Sequence, residues 1–165
     1  MRTTLWLIVG IGCLGCAHAP VERSPALAKV EFYVGRWQCA GLEYDAQGAV
    51  TKTYPKLEIR VAPAFASWLR VELFDGGEQT TSELKGVDSK GAWHHIWVAN
   101  DGASGSLTSP GWNGDRLVFE EDHASPSERT RMIFTKTDAT HYTHKAEVDR
   151  GSGFKLEFEK TCHKT

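Results

Sequence analysis

The chain has no apolar run long enough to span a bilayer. Crossing ~30 Å of hydrocarbon takes about twenty such residues, and the longest run here covers residues 5–14. It also lacks a basic stripe or a block of like charge. Nineteen Lys and Arg stand against twenty-one Asp and Glu, a formal net charge of −2, so nucleic-acid binding has no electrostatic footprint to rest on. Neither H-E-x-x-H nor a P-loop occurs, which removes two common signatures for zinc and nucleotide chemistry. Gly102-Ala103-Ser104-Gly105-Ser106 lacks the last glycine of G-x-S-x-G and has no strand–turn–helix around it, so it is not a nucleophile elbow. After residue 33 no long helical period is found. No motif names a reaction, and no catalytic or metal-binding residue is assigned.

What the chain does have begins at its N-terminus. Arg2 precedes the apolar residues 5–14, the organisation of a removable signal peptide. Two cleavage readings compete. One cuts after Ala17-His18-Ala19, a small-residue pattern that leaves Pro20 just past the scissile bond. The other resembles a bacterial lipoprotein signal, with Leu14-Gly15 before Cys16 and Cys13 where that family usually has leucine. This resemblance implies lipidation of Cys16. Because Ala17 and not aspartate follows the cysteine, it also implies the outer membrane, facing the periplasm. The alternative is a soluble periplasmic or secreted protein. Residues 1–19 are read as the signal region, 20–25 as a tether and 26–165 as one domain. The only membrane contact expected is through the lipid anchor.

Export changes the meaning of the four cysteines. Cys13 leaves with the signal, and Cys16 is lipidated or lost. Cys39 and Cys162 remain, in a compartment where disulfides persist. A bridge between them would close a loop of about 124 residues, worth roughly 5 kcal/mol by chain entropy. Neither sits in C-x-x-C or a zinc-like spacing. The remaining 146 to 150 residues suffice for one domain with a real core.

Ser24-Pro25 opens a short helix to Tyr33, with serine as N-cap, proline at the first helical position and Gly35 after the end. Alternating runs then follow, cut by turn signals. They cover residues 36–45, 57–61, 67–74, 80–87, 92–99, 106–107, 116–121, 129–136, 140–148 and 154–161. About ten short strands without intervening helices argue an antiparallel sandwich or barrel. Strand side chains alternate faces. Trp37 and Cys39 share one face of the first strand; Phe154, Leu156, Phe158, Lys160 and Cys162 share one of the last. Pairing of first and last strands in an up-and-down barrel would bring the two cysteines together. The expected fold is therefore all-β: an antiparallel up-and-down β-barrel of about eight to ten strands with a short N-terminal helix.

Gly35-Arg36-Trp37 at the start of the first strand resembles the G-x-W opening of calycin barrels, the lipocalin and fatty-acid-binding group. Residues 32–41, Gly111-Trp112-Asn113-Gly114-Asp115 and the terminal Cys162-His163-Lys164 resemble uncharacterised secreted bacterial proteins with lipocalin-like folds. The resemblance implies that Trp37 plugs one barrel end and that a basic residue of the last strand, here Lys160, packs on it. Nitrobindin-like haem barrels are similar in outline. Their glycine-rich first strand is broken here by Cys39. Of the histidines near the C-terminus, His163 falls beyond the last expected strand and His144 one strand early. No cofactor is expected, with haem the minority alternative.

His94-His95 and His141-x-x-His144 look metal-binding at first sight, but in strands an offset of one or three puts the two rings on opposite faces. Trp93, His95 and Trp97 share a face, as do Tyr142, His144, Ala146 and Val148. If those faces are interior, His95, Tyr142 and His144 are polar points in an aromatic cavity, the usual make-up of a ligand site. Trp68, Arg70, Glu72 and Phe74 lie opposite Leu69, Val71 and Leu73, so Arg70–Glu72 reads as a solvated pair. Glu120-Glu121-Asp122-His123 leads into a polar loop and reads as solvated too. The expected role is binding of a small hydrophobic or amphipathic molecule in the barrel. The alternatives are a filled barrel serving as an envelope interaction module, and an enzyme on this scaffold. Oligomeric state is left open. Intact-mass analysis of chain purified from a bacterial envelope should show an acylated N-terminal Cys16; a bare mass starting at Pro20 would refute lipidation.

Overall fold

A computed structural model describes residues 24–121 and 127–165. Residues 1–23, which hold the expected signal region with Cys13 and Cys16, lie outside the described residues, as do Asp122 and His123. Pro25 opens a 3-10 helix, Pro25–Tyr33, where proline leaves no stranded N–H. Leu27, Val30 and Tyr33 are buried. Their spacing of three matches the three residues per turn of this helix, which puts all three on one face. Ser24 caps through its backbone carbonyl, which accepts the Leu27 N–H at 2.9 Å, and not through its hydroxyl as its residue type suggests. Gly35 follows with φ +132°, and a Cβ there would stand 2.9 Å from Lys164 Cε, so this turn needs glycine.

Among the described residues eleven strands follow: β1 (Gly35–Tyr44), β2 (Val50–Phe65), β3 (Trp68–Asp75), β4 (Glu78–Val87), β5 (Trp93–Ala99), β6 (Ser104–Ser109), β7 (Trp112–Asn113), β8 (Arg116–Glu121), β9 (Arg129–Lys136), β10 (His141–Asp149) and β11 (Phe154–Lys164). Neighbours in sequence pair antiparallel except β6 and β7, β1 pairs β11, and β6 pairs β8. Ten strands thereby close into the barrel that the alternation implied, and the two-residue β7 hangs on β8. The two closures are unequal. β1 and β11 pair from Trp37↔Lys164 to Glu43↔Phe158. β6 meets β8 only at Leu107↔Glu121 and Thr108↔Glu120.

β2 is longer than the turn signals suggest, because it runs through Pro55 and Pro63. Pro55 falls in a register shift, between Cys39↔Leu57 and Gly41↔Tyr54. Pro63 lies past Gly35↔Val61, the last pair with β1. Neither proline removes a needed ladder bond there. β11 likewise reaches Lys164 and so contains His163, which is exposed on its outer face. The aliphatic face of β3 points inward, with Leu69 and Val71 buried. Arg70 and Glu72 pair outside at 3.5 Å.

Cys39 and Cys162 occupy directly paired positions of β1 and β11, and they form a disulfide with Cα atoms 4.0 Å apart. It joins residues 123 apart across the closing seam, and it fits an oxidising compartment. Among the described residues no helix is long and apolar enough to cross a membrane. Replacing both cysteines by serine should lower unfolding free energy by up to ~5 kcal/mol, measured by urea denaturation. Unchanged stability would mean that the β1–β11 ladder holds the barrel shut unaided.

Candidate functional site

The barrel interior is organised in layers along its axis. At one end Trp37 is fully buried, and its indole N–H donates to the Tyr33 carbonyl at 2.7 Å. Tyr142 meets the Trp37 ring edge-on at 4.8 Å and the Tyr33 ring at 5.2 Å. The helix is thus pinned across the mouth as a plug. The cation over Trp37 is Lys164, with Nζ 5.5 Å from the ring, and Nζ also donates to the Phe32 carbonyl at 2.8 Å. This corrects the expectation for Lys160. The β1–β11 register sets Lys164 opposite Trp37 and Lys160 opposite Gly41, so Lys160 lies deeper in the barrel.

Under the plug is an aromatic space bounded by Tyr33, Trp93, Trp112, Phe119, Phe134 and Tyr142, with Lys85 at its floor. It leaves about 20 Å³ for the centre of a water-sized molecule, room for roughly one water. Beneath it sits a polar layer. Val71↔Glu83 and Leu69↔Lys85 across β3–β4 place both charged residues on the inward face. Glu83↔Trp97 and Lys85↔His95 across β4–β5 bring His95 beside them. From the other wall, His144 is flanked by Lys160 and Phe134. Lys85, His95, His144 and Lys160 are all buried.

Phe134 is the hub. Its ring centroid lies 4.4 Å from His144, 6.3 Å from His95 and 4.9 Å from Lys85 Nζ. Glu83 pairs with Lys85, and its Oε2 lies 3.1 Å from His95 Nε2 without the alignment of a hydrogen bond. Neither ring nitrogen of His95 or of His144 has a hydrogen-bond partner among the described residues. Groups stranded in this way cost ~1–3 kcal/mol each. Burial, reinforced by the two lysine charges, holds both imidazoles well below their usual range, so they are neutral at neutral pH. Burial also raises the Tyr33 and Tyr142 phenols.

The residues singled out by alternation separate here. Trp93 and Tyr142 line the aromatic space, and His95 and His144 lie under it against Phe134. Trp97 shares the face of Trp93 and His95 and packs against the core beside Gly105, its partner on β6, without lining the aromatic space. His94 faces out to Asp88 at 3.1 Å, and His141 out to Asp138 at 3.0 Å. Sequence reasoning missed Glu83, Lys85 and Phe134. In β4 the apolar Leu84 points outward between two inward charges, so a polarity pattern reads that strand backwards. Among the described residues, neither C-terminal histidine offers an open haem ligand: His163 faces out, and Phe134 and Phe158 pack beside His144, at 4.4 and 6.1 Å.

Burial pushes the Lys160 amine down to about 8, against ~10.4 in an unfolded chain. Between those values the unfolded chain holds the proton and the folded chain does not, so stability rises with pH across that window. Below it both states hold the proton, and the fold carries the full cost of about 3 kcal/mol. Lys160→Met should therefore stabilise the protein at pH 7 by up to ~3 kcal/mol, with the gain vanishing near pH 10. Urea unfolding at both pH values reads this, and a gain equal at both would place the amine in water.

No family model and no curated protein matches the sequence. Among solved structures the chain is similar to the one described as "Crystal Structure of Rv2717c from M. tuberculosis". The TM-score is 0.63 at 13% identity, covering 87% of this chain and 99% of that one. At that identity the likeness shows the fold alone: a closed ten-strand antiparallel barrel.

Proposed function

We propose that the protein binds a small amphipathic molecule inside its barrel, between the helix plug and the polar layer around Phe134. One observation carries this reading. Three buried polar side chains, His95, His144 and Lys160, converge on the barrel centre without hydrogen-bond partners among the described residues, directly under an aromatic space. Apolar walls with a few convergent polar groups are the general composition of ligand sites. A bound molecule would offset the cost of those stranded groups. The helix plug, held by a short aromatic contact set and two carbonyl bonds, is the element that would move to admit it.

The export reading belongs to the same proposal. The signal-like N-terminus and the Cys39–Cys162 bridge both favour an envelope protein, anchored through Cys16. A second reading, a filled barrel acting as an interaction module, draws support from the small free volume of about 20 Å³. A panel of phenol, indole, short alcohols and short carboxylates separates the two by thermal unfolding and side-chain NMR. At least one compound should raise the midpoint and shift the Phe134 and Trp93 resonances. If none does, the filled barrel is the correct reading.

A further inference from the structure

We infer that the polar layer is an anion-binding site, built to take one singly charged group such as a small carboxylate. This inference rests on the interior-ligand reading and specifies the ligand's charge. The interior layer holds two lysines against one acid. Glu83 pairs with Lys85, whereas Lys160 has no ion-pair or hydrogen-bond partner among the described residues. Its Nζ lies only near an aromatic face, 5.8 Å from the Phe158 ring. A buried cation without a counter-ion is costly, and no acid among the described residues pairs with it.

The neighbours of Lys160 suit an anion and not a second cation. His144 sits directly opposite Lys160 across β10–β11 and is held neutral by burial. A neutral imidazole carries one N–H donor. His144 is 7% exposed and His95 1% exposed, and the nitrogens of both lack partners. Lys160 with one or two imidazole N–H groups makes a convergent donor set, with the single acid already engaged by Lys85. One negative charge balances the layer, and two would overshoot it. Charge-assisted bonds from such donors are about twice as strong as neutral ones. The aromatic space above would receive a short apolar tail, which favours an organic carboxylate over an inorganic ion.

The test pairs anions with neutral isosteres on the purified full chain. Formate, acetate and chloride are titrated against formamide and acetamide, following the ring-nitrogen resonances of His95 and His144. Acetate should shift His144 saturably and more tightly than chloride does, while the amides leave it unmoved. Lys160→Met should weaken acetate roughly tenfold or more, with Lys155→Met, on the outer surface, unchanged. Circular dichroism checks the fold of each variant, and Lys160→Gln serves if methionine misfolds. Amides matching the anions, or acetate binding unchanged in both Lys160 variants, would overturn the anion assignment and leave the ligand-binding barrel standing. If no probe reaches the histidines, the interior-ligand reading falls with it.

Discussion

The pairing of β1 with β11 is the constraint on which the rest of the structure depends. A sheet of ten strands has two edges until it closes, and exposed edges are a liability. The other closure, β6 on β8, has two residue pairs and cannot by itself set a register. β1–β11 pairs along seven positions and is bridged by the disulfide. Register in a strand is all or nothing, since a slip of one residue turns every side chain to the other face. Locking Cys39 against Cys162 therefore decides that Trp37, Lys160 and, through β10, Tyr142 and His144 face inward.

That inward set is not what stability alone would choose. The ends of the interior are apolar and aromatic, with Trp37 sealed by the helix at one mouth. The middle holds Glu83, Lys85, His95, His144 and Lys160. Burying such groups costs free energy wherever their partners are incomplete, and aliphatic side chains at the same positions would pack without that cost. A barrel that only had to fold would gain from losing them. The expense is concentrated in one layer, beneath one aromatic space, which is why that layer is the functional reading.

Much of the fold was legible because the strand period is two and the turns are marked by glycine, asparagine and aspartate. That Trp93 and His95 share a face followed from alternation, and the Cys39–Cys162 pair followed from their positions at the two ends of the barrel. The long β2 was not legible, because Pro55 and Pro63 read as strand breakers until their places in a register shift and beyond the β1 ladder are known. Glu83 and Lys85 were hidden for a different reason. Their strand puts Leu84 outside, so polarity points the wrong way, and only the partners on β3 and β5 orient it.

By itself the sequence determined which residues lie on each face of most strands, that the chain is all-β, and that Cys39 and Cys162 stand near the two ends of the strand series. Those properties are local: they follow from periodicity, turn chemistry and residue type. Which face became the interior of β4, whether Lys160 or Lys164 meets Trp37, and that Phe134 gathers two histidines and a lysine were decided only by tertiary structure. The physical reason is that these facts depend on cross-strand register. Register is set by closure between segments more than a hundred residues apart, and no local pattern carries it.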